Sequence, residues 1–320
     1  MSDAGSLGIL LGAGFSKWAA NLPLAGELFD LEIEPFGPRD AQKAETVHRA
    51  RETWLKEHQG GTSEEFIAYA LVHDDRLRTA VIWYITRRLS EPYIWKEWHA
   101  GRCRRHVLMI DENRKYQRAG VTRARDLLLR LSTRLSGIVT PNYDLLIEYA
   151  LGTQLFNYGR PNEILSGRGA YPVSQWRNPV TLRGSVALAK IHGSISWDKS
   201  GKHTDGRGGI TGNALIVAPT PEKIAPPELA FEWELAGAIL RRSKTLLVFG
   251  FAFNPYDEAL LAHLRQHGQN LEHVMLVDKS PRHNRASAMW PRAKVQVLSP
   301  PPDNEDLGAW SASLRRIAQS

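Results

Sequence analysis

The stretch LGILLGAGFS, residues 7–16, decides the fold that we predict for this chain. Four of its first five residues are aliphatic, which is typical of a buried parallel strand. The strand runs into Gly12-Ala13-Gly14, and a helix that begins near Ser16 would direct its free N–H groups to the same place. The pattern predicts either a turn that holds a phosphate or simply the glycine-rich first turn of a doubly wound domain. Lys17 stands where the dinucleotide fingerprint has a small residue.

Apolar runs and helical stretches alternate again from residue 136 onward. The runs that we read as strands, several with the turn or helix that follows, are 137–140, 185–194, 214–219, 245–267, 273–280 and 295–299. Between about 40 and 134, apolar residues instead recur at helical spacing. We therefore predict an α/β fold, a Rossmann-like parallel sheet with helices on both faces. Its domain would comprise 1–35 and 136–320, with a helical insertion subdomain at 36–135.

The composition excludes several classes of protein. With 42% hydrophobic and 23% charged residues, the chain has the composition of a soluble globular protein. No run approaches the roughly 18 apolar residues of a membrane span, and the N-terminus MSDAGS does not resemble a signal peptide. We expect a cytoplasmic protein without membrane contact. The single cysteine, Cys103, excludes an intrachain disulfide and a cysteine-based zinc site.

The positive charge is concentrated in residues 102–134. This segment contains ten lysines and arginines and three acidic residues. The difference equals the net charge of +7 for the whole chain. Such a segment can contact nucleic acid or can be the solvated face of a basic helix. Nearby aromatic residues could stack on bases or could seal the insertion against the main domain. They are Tyr93, Trp95, Trp98 and Tyr116.

Small or polar residues follow the end of almost every predicted strand. Ligands of open α/β sheets bind outside the carboxyl ends of the strands, so we expect these residues to meet there. Each also has a structural alternative, since Asn142 and Asp144 could cap helices and His192 could be a core histidine. Together they favour a ligand site. The set comprises Gly12, Ala13, Gly14, Asn142, Asp144, His192, Gly250, Phe251 and Asp278.

Four motifs, in this order, resemble those of the SIR2-like (sirtuin-related) family. They are GAGFS at 12–16, TPNYD at 140–144, KIHGS at 190–194 and GFAFNPYD at 250–257. The protein-deacylase members carry a four-cysteine zinc ribbon, which one cysteine cannot form. The pattern is more similar to the bacterial SIR2-like domains of anti-phage defence systems, which hydrolyse NAD+ to nicotinamide and ADP-ribose.

The resemblance implies that NAD+ is the substrate and that no metal takes part. Asn142 would bind the ribose or orient the attacking water. Asp144 would stabilise positive charge or fix Asn142, and His192 would act on the ribose hydroxyls as a polariser or base. The remaining site residues would hold the other half of the substrate: Gly12, Ala13, Gly14 and Ser16 the diphosphate, Gly250 and Phe251 the adenosine, and Asp278 the adenine-ribose hydroxyls.

The resemblance also implies a toxic effector that is restrained until it is triggered. Its partner would be a HerA-like ATPase, a short Argonaute-type protein, or further copies of the chain in a homo-oligomer. An NAD-dependent protein deacylase and a module that binds NAD or ADP-ribose without turnover are the alternatives.

Overall fold

Seven parallel strands form the central sheet. In chain order they are β1 (Leu7–Leu11), β4 (Leu135–Thr140), β5 (Phe156–Asn157), β8 (Val186–Lys190), β11 (Thr245–Phe249), β12 (His273–Val277) and β13 (Lys294–Leu298). Their order across the sheet is β13-β12-β11-β1-β4-β8-β5, so the first strand of the chain lies at the centre. This computed structural model describes residues 7–29, 38–90, 95–100, 103–108, 115–152, 155–159, 164–165, 180–181, 184–198, 214–218, 227–301 and 307–317.

Helices cover both faces of the sheet, as the sequence predicts. They are α1 (Ala13–Ala20), α2 (Pro38–Glu57), α3 (Ser63–Val72), α4 (Asp75–Ser90), α5 (Lys115–Leu131), α6 (Leu146–Leu151), α7 (Ala230–Arg242), α8 (Glu258–His267), α9 (His283–Met289) and α10 (Leu307–Ile317). Alternate residues of β1 enter different cores, with Ile9 and Leu11 in one hydrophobic cluster and Leu10 in the other. Both faces of the central strand are therefore buried, and the predicted Rossmann-like class is confirmed.

Three short antiparallel pairs lie outside this sheet. They are β2 (Trp95–Ala100) with β3 (Cys103–Leu108), β6 (Ile164–Leu165) with β7 (Val180–Thr181), and β9 (Gly193–Asp198) with β10 (Ala214–Ile216). The β2–β3 pair falls in the segment predicted to be helical. In the sequence, a two-residue interval that contains glycine separates the two strands, which is a sequence signal for a hairpin.

The segment 36–135 has two parts with different neighbours. Helix α4 packs on α2 and α3, whereas α5 packs on α1 and α6, which flank the sheet. The proposed division into a domain of 1–35 and 136–320 and an insertion subdomain of 36–135 stays a prediction. No helix in the described ranges is both long and apolar enough to cross a lipid bilayer.

The turns after β1 and β11 interlock. Gly12 N–H donates to the Phe249 carbonyl and Gly14 N–H to the Gly250 carbonyl, both at 2.9 Å. A Cβ on Gly12 would lie 2.3 Å from the Gly250 oxygen, and one on Gly250 would lie 2.3 Å from the Phe15 nitrogen. Gly250 also has a φ of +64°, in the left-handed region that favours glycine. These glycines are therefore required by the contact between two turns.

We expect Gly250→Ala to lower the free energy of unfolding by about 2–4 kcal/mol, because the new methyl group overpacks the turn and the backbone is left-handed. Denaturant unfolding measures the change. Gly26→Ala is the matched control, since a Cβ there meets no atom within 4 Å, and its effect should stay within about 0.5 kcal/mol. Equal stability of the two variants would contradict the interlock.

Candidate functional site

Hydrogen bonds join the turn after β1 to the loop after β4. Ser16 Oγ donates to Asp144 Oδ2 at 2.8 Å, and Asn142 Nδ2 donates to Ser16 Oγ at 3.1 Å and to the Gly12 carbonyl at 3.0 Å. Ser16 and Asp144 are buried and Asn142 is half-buried. The structure thus brings together three residues that the sequence analysis assigned to one site.

The side-chain orientation of Asn142 follows from its partners. A carbonyl oxygen only accepts hydrogen bonds, so the atom facing Gly12 is the amide nitrogen. Both hydrogen bonds of this side chain start at Nδ2, and among the described residues Oδ1 receives none. The Asn142 oxygen is therefore the polar atom that the side chain can offer to a hydroxyl group or a water.

Both carboxylate oxygens of Asp144 already accept hydrogen bonds. Oδ2 accepts from Ser16, and Oδ1 accepts from the Leu146 N–H at 2.9 Å, just where α6 begins. The sequence left two roles open for Asp144, charge stabilisation or the fixing of Asn142. This geometry favours the second, because Asp144 reaches Asn142 through Ser16.

Most N–H groups of the glycine-rich turn already donate hydrogen bonds within the protein. Gly12 and Gly14 donate to the β11 turn, and the Phe15 N–H donates to the Gly12 carbonyl at 3.0 Å. Among the backbone bonds of the described residues, none starts from the Ala13 N–H at the first position of α1. That group, with the positive end of the helix dipole, is what the turn can offer an anion.

His192 follows β8, the strand beside β4, and pairs with a residue that the sequence analysis does not assign to the site. Its Nε2 lies 3.3 Å from Asp257 Oδ2, and the two side chains are only 3% and 6% exposed. Asp257 is the last residue of the motif GFAFNPYD, from which we had chosen only Gly250 and Phe251. The motif itself was the signal that could have identified Asp257.

The loop that delivers Asp257 has an unusual backbone. Phe253 has a φ of +50°, which is uncommon for a bulky residue. Its ring is buried between Phe251 and Trp290, and its carbonyl accepts a hydrogen bond from Arg285 Nη1 at 2.6 Å. Packing and this bond hold a conformation that the chain would otherwise rarely adopt.

Tyr143 packs beside His192 and keeps its proton. The two ring centroids are 6.4 Å apart, and the phenol donates to the Val217 carbonyl at 2.6 Å. Burial, followed by the negative charges of Asp257 and Glu64, raises the pKa of the Tyr143 hydroxyl well above its usual value. Tyr143 is therefore a neutral hydrogen-bond donor at any physiological pH.

A buried ion pair lies behind the Asn142 loop. Lys190 Nζ lies 2.8 Å from Glu148 Oε1, and both side chains are 0% exposed. Lys190 Nζ also donates to the Asp144 carbonyl, and Tyr158 donates its hydroxyl to Glu148 Oε1 at 3.1 Å. The sequence analysis missed this cluster because a lysine at a strand end ordinarily reaches solvent.

The residues assigned to the adenosine half of NAD+ also follow strands at this edge of the sheet, but their contacts point less clearly to a ligand than those of Asn142 and His192. The Gly250 N–H donates to the Val277 carbonyl at 2.9 Å, which ties the end of β11 to that of β12. Phe251 is buried in the second hydrophobic cluster, so its backbone is what it can offer a ligand. Asp278 follows β12, and its Oδ1 accepts from the Ser280 N–H at 2.8 Å. Their roles toward a nucleotide stay predictions.

Only part of the basic segment 102–134 has described side chains. The side chains of 95–119 lie outside the described residues, and so does Tyr93. Of the arginines that are described, Arg123 lies 4.3 Å from the centre of the Trp18 ring, and Arg125 donates to the Ala150 carbonyl at 3.2 Å. These two arginines therefore make contacts within the protein, and nucleic-acid contact stays a prediction.

Comparison with known proteins gives a likeness in structure alone. No protein-family model matches the chain, and no curated protein matches it. Three similar solved structures are a Sir2 enzyme (11% identity, TM-score 0.45, covering 99% of this chain and 95% of that one), a Sir2 homologue–NAD complex (13%, 0.40, 98% and 89%) and Sir2Tm bound to a propionylated peptide (12%, 0.39, 98% and 93%). Identities and TM-scores this low support no inference about activity or site.

The fold and the polar groups at its sheet edge define the class of protein to which this chain belongs. It is a Rossmann-like α/β protein with a seven-stranded parallel sheet, and amide, carboxylate and imidazole groups lie at the carboxyl ends of its strands. Among the described residues, no group of three or more histidine, cysteine, aspartate or glutamate side chains is arranged to hold a metal ion.

Loss of one partner from the buried ion pair should be costly. We expect Lys190→Met to lower the free energy of unfolding by about 3–5 kcal/mol, because it leaves the Glu148 carboxylate buried without its cation. The double variant Lys190→Met/Glu148→Gln removes both charges and should recover most of that loss, as measured by denaturant unfolding. A double variant no more stable than the single one would contradict the pairing.

Proposed function

We propose that this protein is a SIR2-like NAD+ glycohydrolase, which splits NAD+ into nicotinamide and ADP-ribose. One observation carries the proposal: Asn142, fixed by Gly12 and Ser16, lies at the same strand edge as the buried His192–Asp257 pair. An oriented amide oxygen and a histidine beside a carboxylate suit the chemistry of a reacting ribose.

The reaction has modest chemical requirements. As the bond between nicotinamide and C1′ of the ribose breaks, its electron pair leaves with the nicotinamide nitrogen, and positive charge develops on the ribose. A water oxygen then bonds to C1′ and releases a proton. Nicotinamide needs no proton to leave, so the protein must hold the diphosphate, orient the ribose and place the water.

The described residues divide these tasks. Asn142 Oδ1 accepts a hydrogen bond from the water or from a ribose hydroxyl. His192 takes the proton, and Asp257 keeps the imidazole in one orientation and stabilises its protonated form, as a carboxylate behind a histidine does in other hydrolases. The Gly12–Ser16 turn faces the diphosphate with the Ala13 N–H and the helix dipole.

The wider biological role is part of the proposal. A hydrolase that consumes NAD+ harms its own cell, so its activity would be restrained until a signal arrives. The motifs support an anti-phage effector that acts with a HerA-like ATPase, a short Argonaute-type protein or further copies of itself. The protein deacylase is the alternative, because it breaks the same bond in NAD+.

Nicotinamide release from purified protein tests the proposal. We expect Asn142→Ala and His192→Ala each to lower the rate about 100-fold or more, since each removes a group that acts on the reacting ribose or water. Asn270→Ala is the matched control, because Asn270 is exposed and precedes β12 at the opposite edge of the sheet. Its rate should equal that of the wild type.

Two outcomes would count against the proposal. Wild-type rates in the Asn142 and His192 variants would remove those residues from the mechanism. Formation of O-acetyl-ADP-ribose from NAD+ and an acetylated peptide would favour the deacylase, which transfers the acyl group where a glycohydrolase uses water.

The role of Asp257 predicts a change in pH dependence. A carboxylate favours the protonated form of a neighbouring histidine, so Asp257→Asn favours the neutral form. The pH at which kcat/KM falls on the acid side should therefore decrease, and kcat should fall about 10-fold. Asp75→Asn, at a largely exposed carboxylate, should leave the profile unchanged. An unaltered profile in Asp257→Asn would mean that His192 does not act as the base.

A further inference from the structure

Lys190 and Glu148 place two charges in the interior beside the proposed site. Neither side chain has any exposed surface, and the pair is joined at 2.8 Å. Glu148 Oε1 serves both Lys190 and Tyr158, while Glu148 Oε2 is buried without a hydrogen-bond partner among the described residues. The cluster is thus incompletely satisfied.

Such a pair is hard to explain by stability. Removing two charges from water costs several kcal/mol for each ion, and apolar residues of similar volume often give an equally stable or more stable protein. The position of this pair suggests a reason for its presence other than stability.

The position is decided by the second bond of Lys190. Its Nζ donates to the carbonyl of Asp144, which lies two residues beyond Asn142 on the loop after β4. On the other side, the carboxylate of the same Asp144 accepts from Ser16. Asp144 is therefore held at its backbone by β8 and at its side chain by α1.

We infer that the Lys190–Glu148 pair is a positioning device for the proposed NAD+ site. Glu148 holds the Lys190 ammonium group, and Lys190 holds the Asp144 carbonyl, which keeps the 142–144 loop at the distance where Asn142 reaches the ribose. This role rests on the proposed glycohydrolase function. Lys190 acts through the loop, so it is a positioning residue without contact to the substrate.

Two double variants separate the hydrogen bond from the charge. Lys190→Met/Glu148→Gln removes the donor to Asp144, whereas Lys190→Gln/Glu148→Gln is equally neutral and keeps a donor at that position. Both should fold, because the Ile195 N–H still holds the Tyr143 carbonyl at 3.1 Å and Ser16 still holds Asp144. Circular dichroism verifies the fold.

Kinetics with NAD+ give the first readout. We expect kcat of Lys190→Met/Glu148→Gln to fall about 10- to 100-fold, since a displacement of about 1 Å at a catalytic group has effects of that size. KM should stay within about threefold, because the groups that hold the diphosphate are untouched. The glutamine-containing double variant should recover part of the loss in kcat.

Amide hydrogen exchange gives a readout that does not depend on activity. Exchange in 142–146 should be about tenfold faster in Lys190→Met/Glu148→Gln than in the wild type, as the loop opens locally. The matched control is Lys244→Met/Glu272→Gln, which removes an exposed ion pair of 2.6 Å and should change neither kcat nor exchange.

The outcomes separate this inference from the proposed function. A wild-type protein that releases no nicotinamide, either alone or together with its proposed partner, contradicts the function, and loop exchange then decides the inference alone. Wild-type kcat and wild-type exchange in Lys190→Met/Glu148→Gln overturn the inference. If neither double variant folds, Tyr158→Phe decides by the same measures, because it removes one hydrogen bond to Glu148 Oε1 and leaves both charges paired: slower turnover with faster exchange supports the inference, and unchanged values overturn it.

Discussion

The peptide of Gly12 is held from both sides. Its N–H donates to the Phe249 carbonyl of β11 at 2.9 Å, and its carbonyl accepts from Asn142, which follows β4, at 3.0 Å. These bonds tie together the carboxyl ends of three adjacent strands with β1 in the middle. The Asn142 loop is tied to the turn after β1 by bonds within the protein, so a ligand that binds at this edge would not have to order the loop. Gly250 makes the arrangement possible because it has no side chain. A Cβ at this position would collide with the backbone nitrogen of Phe15.

Two buried polar pairs lie close to this junction. His192 and Asp257 join the end of β8 to the loop after β11, and Lys190 and Glu148 join β8 to α6. Charges removed from water interact more strongly with one another and with charge that develops nearby. Burying these groups lowers the stability of the folded protein, and the apolar cores on the two faces of the sheet offset that loss. Both pairs therefore place polar groups in the interior, close to the carboxyl ends of the strands.

Much of this could be predicted from the sequence, for physical reasons. Apolar runs of five or six residues followed by helices indicate a parallel sheet, and parallel strands bring their carboxyl ends to one edge. That rule alone was enough to predict that the turn at Gly12 would meet Asn142 and Asp144, whereas Ser16 was assigned to the site by the resemblance. Asp257 was missed because seven residues separate it from β11, and the left-handed backbone of Phe253 and its packing help to return the chain to His192. Lys190 was missed because its burial depends on Glu148 from another element. The glycines of the first turn are compatible with a phosphate site, but the contact between two interlocked turns requires them in any case.

The central claim is that the edge around Gly12, Asn142 and His192 binds NAD+. A crystal structure of the protein with ADP-ribose, the product that keeps both the diphosphate and the reacting ribose, tests it most directly. The account predicts the diphosphate at the start of α1, within hydrogen-bonding distance of the Ala13 N–H. It also predicts the free ribose beside Asn142 Oδ1 and His192. ADP-ribose bound elsewhere on the protein, or a ribose turned away from Asn142, would contradict it.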